Sequence, residues 1–320
     1  MSNTRLSYLD LAAGIMTLWV MYFHAPLYHV PILYFFMPWF FYKSGQMFKF
    51  RPYNEELHKG WQKLIRPFII WSLIGYAAYI IWGLCTWGLS MHQAFYTPLH
   101  SLFFSCCIPL NNALWFLPIL FLVRTIGNYI LPRVNHKLFL IIDFALLCVL
   151  AVIRSHYVPI WISHTAWGLF FFTIGYDLRE WETNKIVFSV ASVLFVLSFL
   201  TPIPVFYNDM SQSLPWHEIM WYLCGVCGCV AFNNICRMAD RVTAQVSSQG
   251  GVLHYIGKHA INFYVPHFIL FKLSYDIVGT YKEEWYDNWQ GRLIVVLSYI
   301  VFLPIINQII IKIESLKNAK

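Results

Sequence analysis

The sequence predicts an all-α, polytopic integral membrane protein of about ten transmembrane helices. Hydrophobic residues make up 59% of the 320-residue chain and charged residues 12%, far from the balance of an ordinary soluble domain. Residues 67–123 contain no Asp, Glu, Lys or Arg. A soluble protein could not hide that much apolar surface. The apolar runs are continuous rather than alternating, which argues against a β-barrel.

Taken in order, runs of about 17–25 residues, the length of a bilayer crossing, lie near 6–24, 31–49, 66–87, 113–131, 137–153, 159–177, 185–201, 216–235, 255–275 and 293–312. The first follows a short polar stretch and precedes no small-residue cleavage site, so it is expected to stay as a helix. On this layout 17 of the 22 Lys and Arg fall on one side, together with both termini. Arg154, Lys272, Lys282 and Arg292 lie on the other, and Lys43 is inside a span. The positive-inside rule then places both termini in the cytoplasm. The net charge of +7 belongs mainly to that face, and with no soluble domain present nucleic acid binding has no support. The opposite loops gather carboxylates, aromatics and histidines, among them His92, Tyr96 and His100, some of which form an interfacial belt. Without tandem repeats or low-complexity tracts, residues 1–320 read as a single transmembrane domain. The eight cysteines give no disulfide framework. Cys224, Cys227, Cys229 and Cys236, beside Gly225 and Gly228, read as small packing residues on one helix.

Several polar residues stand out against this apolar background. His24 closes the first run, where an imidazole is costly unless it faces a cavity or a partner. Asp10 lies near the other end of the same run, about 21 Å away along a helix, so the two cannot form a dyad. A helix-start role for Asp10 competes with a catalytic one. Lys43 in the second run should face a cavity, pair with a neighbour or snorkel to the surface. Ser44 and Gly45 follow it, and the glycine permits close approach of the backbone to a neighbour. Lys59, Lys63 and Arg66 are spaced along one helical face, suited to phosphate oxygens or to anionic lipid headgroups. Asn111 and Asn112 open a segment that includes Trp115, where the amides can hold a polar substrate or cap a helix. His267 lies about two-thirds of the way along the ninth run, at a depth that lets it line one cavity with His24.

These elements together resemble the membrane acyltransferase-3 family, in its sugar O-acetyltransferase branch, which includes fucose 4-O-acetylase-like enzymes. The resemblance rests on Asp10, Gly14 and His24 in the first run; Met37, Pro38, Phe40, Phe41, Ser44 and Gly45 in the second; Lys63, Arg66 and Pro67; Leu114 to Leu117; and Gly257, Lys258, Ala260, Tyr264 and His267. Two positions depart from the family pattern. Ala13 stands where a Lys or Arg usually precedes the glycine, and Phe36 where a His usually precedes Met37.

The resemblance implies transfer of acetyl from cytoplasmic acetyl-CoA to a hydroxyl of a cell-surface polysaccharide or its lipid-linked sugar precursor, at the inner membrane. His24 is then the general base, with Asp10 and His267 as further catalytic candidates. Lys43, Ser44, Lys59, Lys63 and Arg66 are the expected donor-binding residues, and Asn111, Asn112 and Trp115 the expected acceptor-binding ones. The partners are a glycan acceptor and membrane lipid, and no metal is called for. On physics alone a sugar or lipid-linked-glycan transporter, or flippase, fits the same intramembrane charges. Lys43, at a depth similar to Ala13 on this layout, is expected to supply the missing family cation. A Lys43→Ala variant should then lose turnover while expression survives, and near-normal turnover would contradict this.

Overall fold

The computed structural model describes residues 7–24, 35–86, 88–153, 158–200, 215–246 and 251–281, with isolated positions between 299 and 312. All regular elements among them are helical, apart from one bridge between Ile108 and Asn111. The chain divides into two compact units, Met1–Ile32 with Ala239–Lys320 and Leu33–Met238. Composition gives no hint of these junctions.

The first unit contains α1 (Ser7–His24), α11 (Val252–Lys258), α12 (Ala260–Tyr281) and the end of α10 (Pro215–Val246). Two glycines set how α1 meets α11. A Cβ on Gly257 would stand 1.8 Å from the Asp10 carbonyl oxygen, and one on Gly14 would stand 2.0 Å from that of Leu253. The two backbones therefore touch with no side chain between them, as in small-residue contacts between membrane helices. At the start of α1 the Ser7 hydroxyl donates to Asp240 Oδ1 at 3.1 Å, and His254 Nε2 meets the same oxygen at 2.6 Å. Towards its other end Met21 packs with Phe263, Phe271 and Tyr299.

The second unit is built around α8 (Ile160–Leu178), which is buried over most of its circumference. A helix that is apolar all round belongs inside a bundle. The short α2 (Phe36–Gln46) lies against it through a second reciprocal glycine pair. A Cβ on Gly45 would be 1.9 Å from the Phe172 carbonyl oxygen, and one on Gly175 would be 2.2 Å from that of Tyr42. Gly127 of α6 (Phe116–Ile130) admits the Phe172 ring. Contacts fix the helix directions. Phe41 meets Trp167 and Phe48 meets Phe172; Trp115 meets His164; Trp221 meets Trp167 while Asn234 reaches Glu182. So α2, α6, α8 and α10 run the same way. His136 against Asp177 and Phe144 against Phe170 show that α7 (His136–Ile153) runs back. As a result Arg51, Arg133, Lys137, Arg179 and Arg237 gather at one end of this unit, where the hydropathy layout assigns them.

Four helices among the described residues are long and apolar enough to cross a membrane: Tyr53–Cys85, Asn112–Arg133, His136–Ile153 and Ile219–Val242. Ile69, Leu73, Ile81, Ile141, Val152, Ile186, Val193 and Leu200 all stand exposed. An apolar exterior of this extent suits lipid, not water. The described residues thus form an all-helical fold with candidate membrane-spanning helices.

Three expectations change. The helix expected over 66–87 begins earlier, as α3 (Tyr53–Gly60), and passes through a π-helical turn at Trp61–Ile65 into α4 (Arg66–Thr86). A further helix, α5 (Met91–Ser105), occupies a stretch expected to be loop. Its start carries a capping box between Ser90 and Gln93, and its left-handed C-cap is Cys106, with φ of 51°. Finally, α2 as described is 11 residues long, with Lys43 in its last turn. The run near 293–312 falls almost entirely outside the described residues.

Replacing Gly45 or Gly257 by Ala forces backbones apart and should destabilise the fold by about 2 kcal/mol or more. Gly251 has nothing within 4 Å of its Cβ position, so Gly251→Ala should be close to neutral. Thermal unfolding in detergent checks the contrast.

Candidate functional site

Some of the residues expected to do chemistry fall into two clusters, one in each unit. In the first unit, His24 in the last turn of α1 meets His267 of α12. The His24 Nδ1 to His267 Nε2 distance is 2.9 Å and the ring centroids are 5.0 Å apart. The second nitrogen of His267, Nδ1, bonds the Tyr264 carbonyl oxygen. A carbonyl only accepts, so His267 Nδ1 carries the proton. In a neutral ring His267 Nε2 is then an acceptor, and His24 must donate from Nδ1. The lone pair of His24 is left on Nε2.

The surroundings of the two rings differ. His267 is fully buried, whereas His24 is partly exposed between the rings of Phe23 and Phe268, both with centroids 5.1 Å away. The inner ring is therefore shielded, and the outer residue keeps some exposed surface. Asp10 belongs to the first turn of α1 and serves the backbone contact with Gly257. The partner of His24 is His267, not Asp10.

The second cluster lies where α2, α3 and α6 come together. Arg124, unremarked in the sequence except as a cation, donates from Nε to Glu56 Oε1 at 2.9 Å and from Nη1 to Ser44 Oγ at 3.1 Å. Its Nη2 is 2.7 Å from the same carboxylate, and Arg51 Nε is 3.8 Å from the other carboxylate oxygen. Glu56 is 2% exposed, so this is a buried ion pair with a serine attached. Lys59 lies within the field of Arg51, Lys63 and Arg124, countered by Glu56. The wider π turn leaves Lys63 and Arg66 exposed while Lys59 is half-buried. The positive charge of this cluster exceeds that of its buried carboxylate, which suits an anionic ligand. Lys43 is half-buried with its Nζ 5.4 Å from the Trp39 ring centre. It belongs to the second unit and Ala13 to the first.

A buried polar network lies beside α2. Glu182, fully buried in the turn after α8, accepts from the Tyr42 hydroxyl at 3.0 Å, Asn233 Nδ2 at 2.8 Å and Arg237 Nη2 at 3.0 Å. Asn233 Oδ1 takes the Trp39 indole proton at 2.7 Å, and Asn233 Nδ2 also reaches Gln46 Oε1 at 2.9 Å. No sequence signal marked Glu182, because a carboxylate in a polar turn reads as solvated.

At the other end of the second unit, Asn111 is buried and makes no side-chain cap to the helical turn that follows. Asn112 is exposed, and Trp115 stacks on His164 at 4.1 Å. His164 was open to the reasoning that singled out His24: an imidazole within an apolar run. Burial pushes the Cys107 thiol nearby up to about 12, which leaves it unreactive at neutral pH. Of the four cysteines of α10, Cys224, Cys229 and Cys236 are buried and Cys227 is half-buried.

No protein-family model, no curated protein and no solved structure matches this chain.

Arg237→Ala strips a fully buried carboxylate of its cation and should cost about 3–5 kcal/mol of stability. The exposed Lys185→Ala should cost almost nothing. Thermal unfolding followed by size-exclusion chromatography separates the two.

Proposed function

We propose that the protein is a membrane O-acyltransferase of ten spans with both termini in the cytoplasm, acting in the inner membrane. It moves acetyl from acetyl-CoA to a hydroxyl of a surface polysaccharide or its lipid-linked precursor. The observation that carries this reading is the hydrogen-bonded pair His24–His267, with its second bond to the Tyr264 carbonyl. That chain of bonds leaves the lone pair of the His24 ring on Nε2. Such a nitrogen is what a general base for an alcohol requires.

The chemistry follows directly. The acceptor oxygen attacks the thioester carbonyl as its proton passes to His24 Nε2. The tetrahedral intermediate collapses, the C–S bond breaks, and the departing thiolate takes the proton. The charge that develops on the imidazole is shared with His267 and, through it, with the Tyr264 carbonyl. Only the hydrogen-bond relay is catalytic furniture here; the donor itself is the substrate. Within the second unit, taken by itself, the cationic cluster of Lys59, Lys63 and Arg124 suits a phosphorylated ligand such as the donor. Ser44 supports it indirectly, by holding the Arg124 guanidinium.

The resemblance to the acyltransferase-3 family favours the same reading. The glycines it picks out, Gly14, Gly45 and Gly257, each occupy a backbone contact, so those motif positions have a physical reason in this chain.

Membranes containing the protein should transfer labelled acetyl from acetyl-CoA to glycan, and His24→Ala should remove about 10²-fold or more of the rate. His267→Gln, a positioning variant, should retain measurable transfer with an altered pH profile. Undiminished transfer in His24→Ala contradicts the assignment.

A further inference from the structure

The open groove between α3 and the last turns of α6 takes no part in the acyl-transfer reading. It holds about 530 Å³ and is lined by Tyr53, Thr125, Ile126, Tyr129, Ile130 and Arg133. Four of these six present apolar surface, and a single cation stands at one end. The Arg133 guanidinium lies 4.2 Å over the Tyr129 ring, and its Nη1 donates to the Tyr129 carbonyl. The cation is thus folded back by one helical turn, and it has no carboxylate partner among the described residues.

We propose that this groove binds one anionic glycerophospholipid, with its phosphate on Arg133 and an acyl chain along Ile126, Ile130 and the two tyrosines. The α6 wall belongs to a helix apolar and long enough to cross a membrane, Asn112–Arg133, and Tyr53 opens a second such helix, Tyr53–Cys85, so lipid tails suit an open trough along α6. Tyr53 and Tyr129, each about half exposed at 51% and 55%, have the amphipathic character of residues at the headgroup level. A soluble polyanion such as the nucleotide end of a donor would find one cation here and apolar walls, whereas an anionic lipid matches both. A zwitterionic lipid brings its own cation and matches less well. The proposal stands whether or not the protein transfers acyl groups.

The test uses the full-length protein, purified in detergent and titrated with phosphatidylglycerol or phosphatidylcholine under native mass spectrometry. Phosphatidylglycerol should be retained in preference. Arg133→Ala should weaken its retention about fivefold, Ile126→Trp should block it by filling the trough, and Lys185→Ala should leave it unchanged. A photoactivatable phosphatidylglycerol on the unaltered protein gives a readout independent of variant folding, with crosslinks expected at Tyr53 or within 125–133. Equal retention of the two lipids, crosslinks confined to other segments, or protection of these peptides by coenzyme A would each overturn the proposal.

Discussion

Both compact units depend on one constraint: helices brought into backbone contact at glycine. In each unit the contact is reciprocal, Gly14 with Gly257 and Gly45 with Gly175, and each glycine faces the partner helix where a Cβ would stand within 2.2 Å of a carbonyl oxygen. Between membrane helices the hydrophobic effect offers little preference for one packing over another, since lipid tails are as apolar as leucine. Close contact and hydrogen bonding must then choose the arrangement. The glycine contacts make that choice. They hold α1 against α11 and α2 against α8, and the placement of the polar residues follows from them.

The consequences for chemistry are specific. With α1 held against α11, the last turn of α1 brings His24 to His267, and the Tyr264 carbonyl then dictates where each ring keeps its proton. With α2 held against α8, its end is tied on two sides. Ser44 reaches Arg124 and Glu56, while Tyr42 and Gln46 enter the network around Glu182 and Arg237. Each of these carboxylates is matched by a guanidinium, which is the condition for keeping an ion out of water. Such pairs contribute definition rather than surplus stability. They are costly to break and fix α2 in one position.

Much of this was legible in the sequence where burial and periodicity speak plainly. The spans of α1, α7 and α8 fall within a residue or two of their expected limits, because long apolar runs leave little choice. His24 and His267 were singled out because ionisable groups in apolar runs need a reason to be there, and their meeting in space was anticipated only as a shared depth. Nothing in the sequence singles out the two buried carboxylates. Glu56 and Glu182 look like solvated turn residues, yet both are buried, since their partners Arg124 and Arg237 come from distant parts of the chain. The helix α5 was missed because its Ser90–Gln93 capping box opens a stretch too mixed to read as a span. The early start of α3 was missed because its first turns are charged.

The central claim is that His267 fixes the tautomer of His24 so that Nε2 carries the lone pair. Nitrogen NMR of histidine-labelled protein in lipid nanodiscs, with His24 assigned through the His24→Ala variant, reads this directly. An unprotonated Nε2 and a protonated Nδ1 on His24, together with an unprotonated Nε2 and a protonated Nδ1 on His267, are the result the account predicts. A proton resident on His24 Nε2 would contradict it.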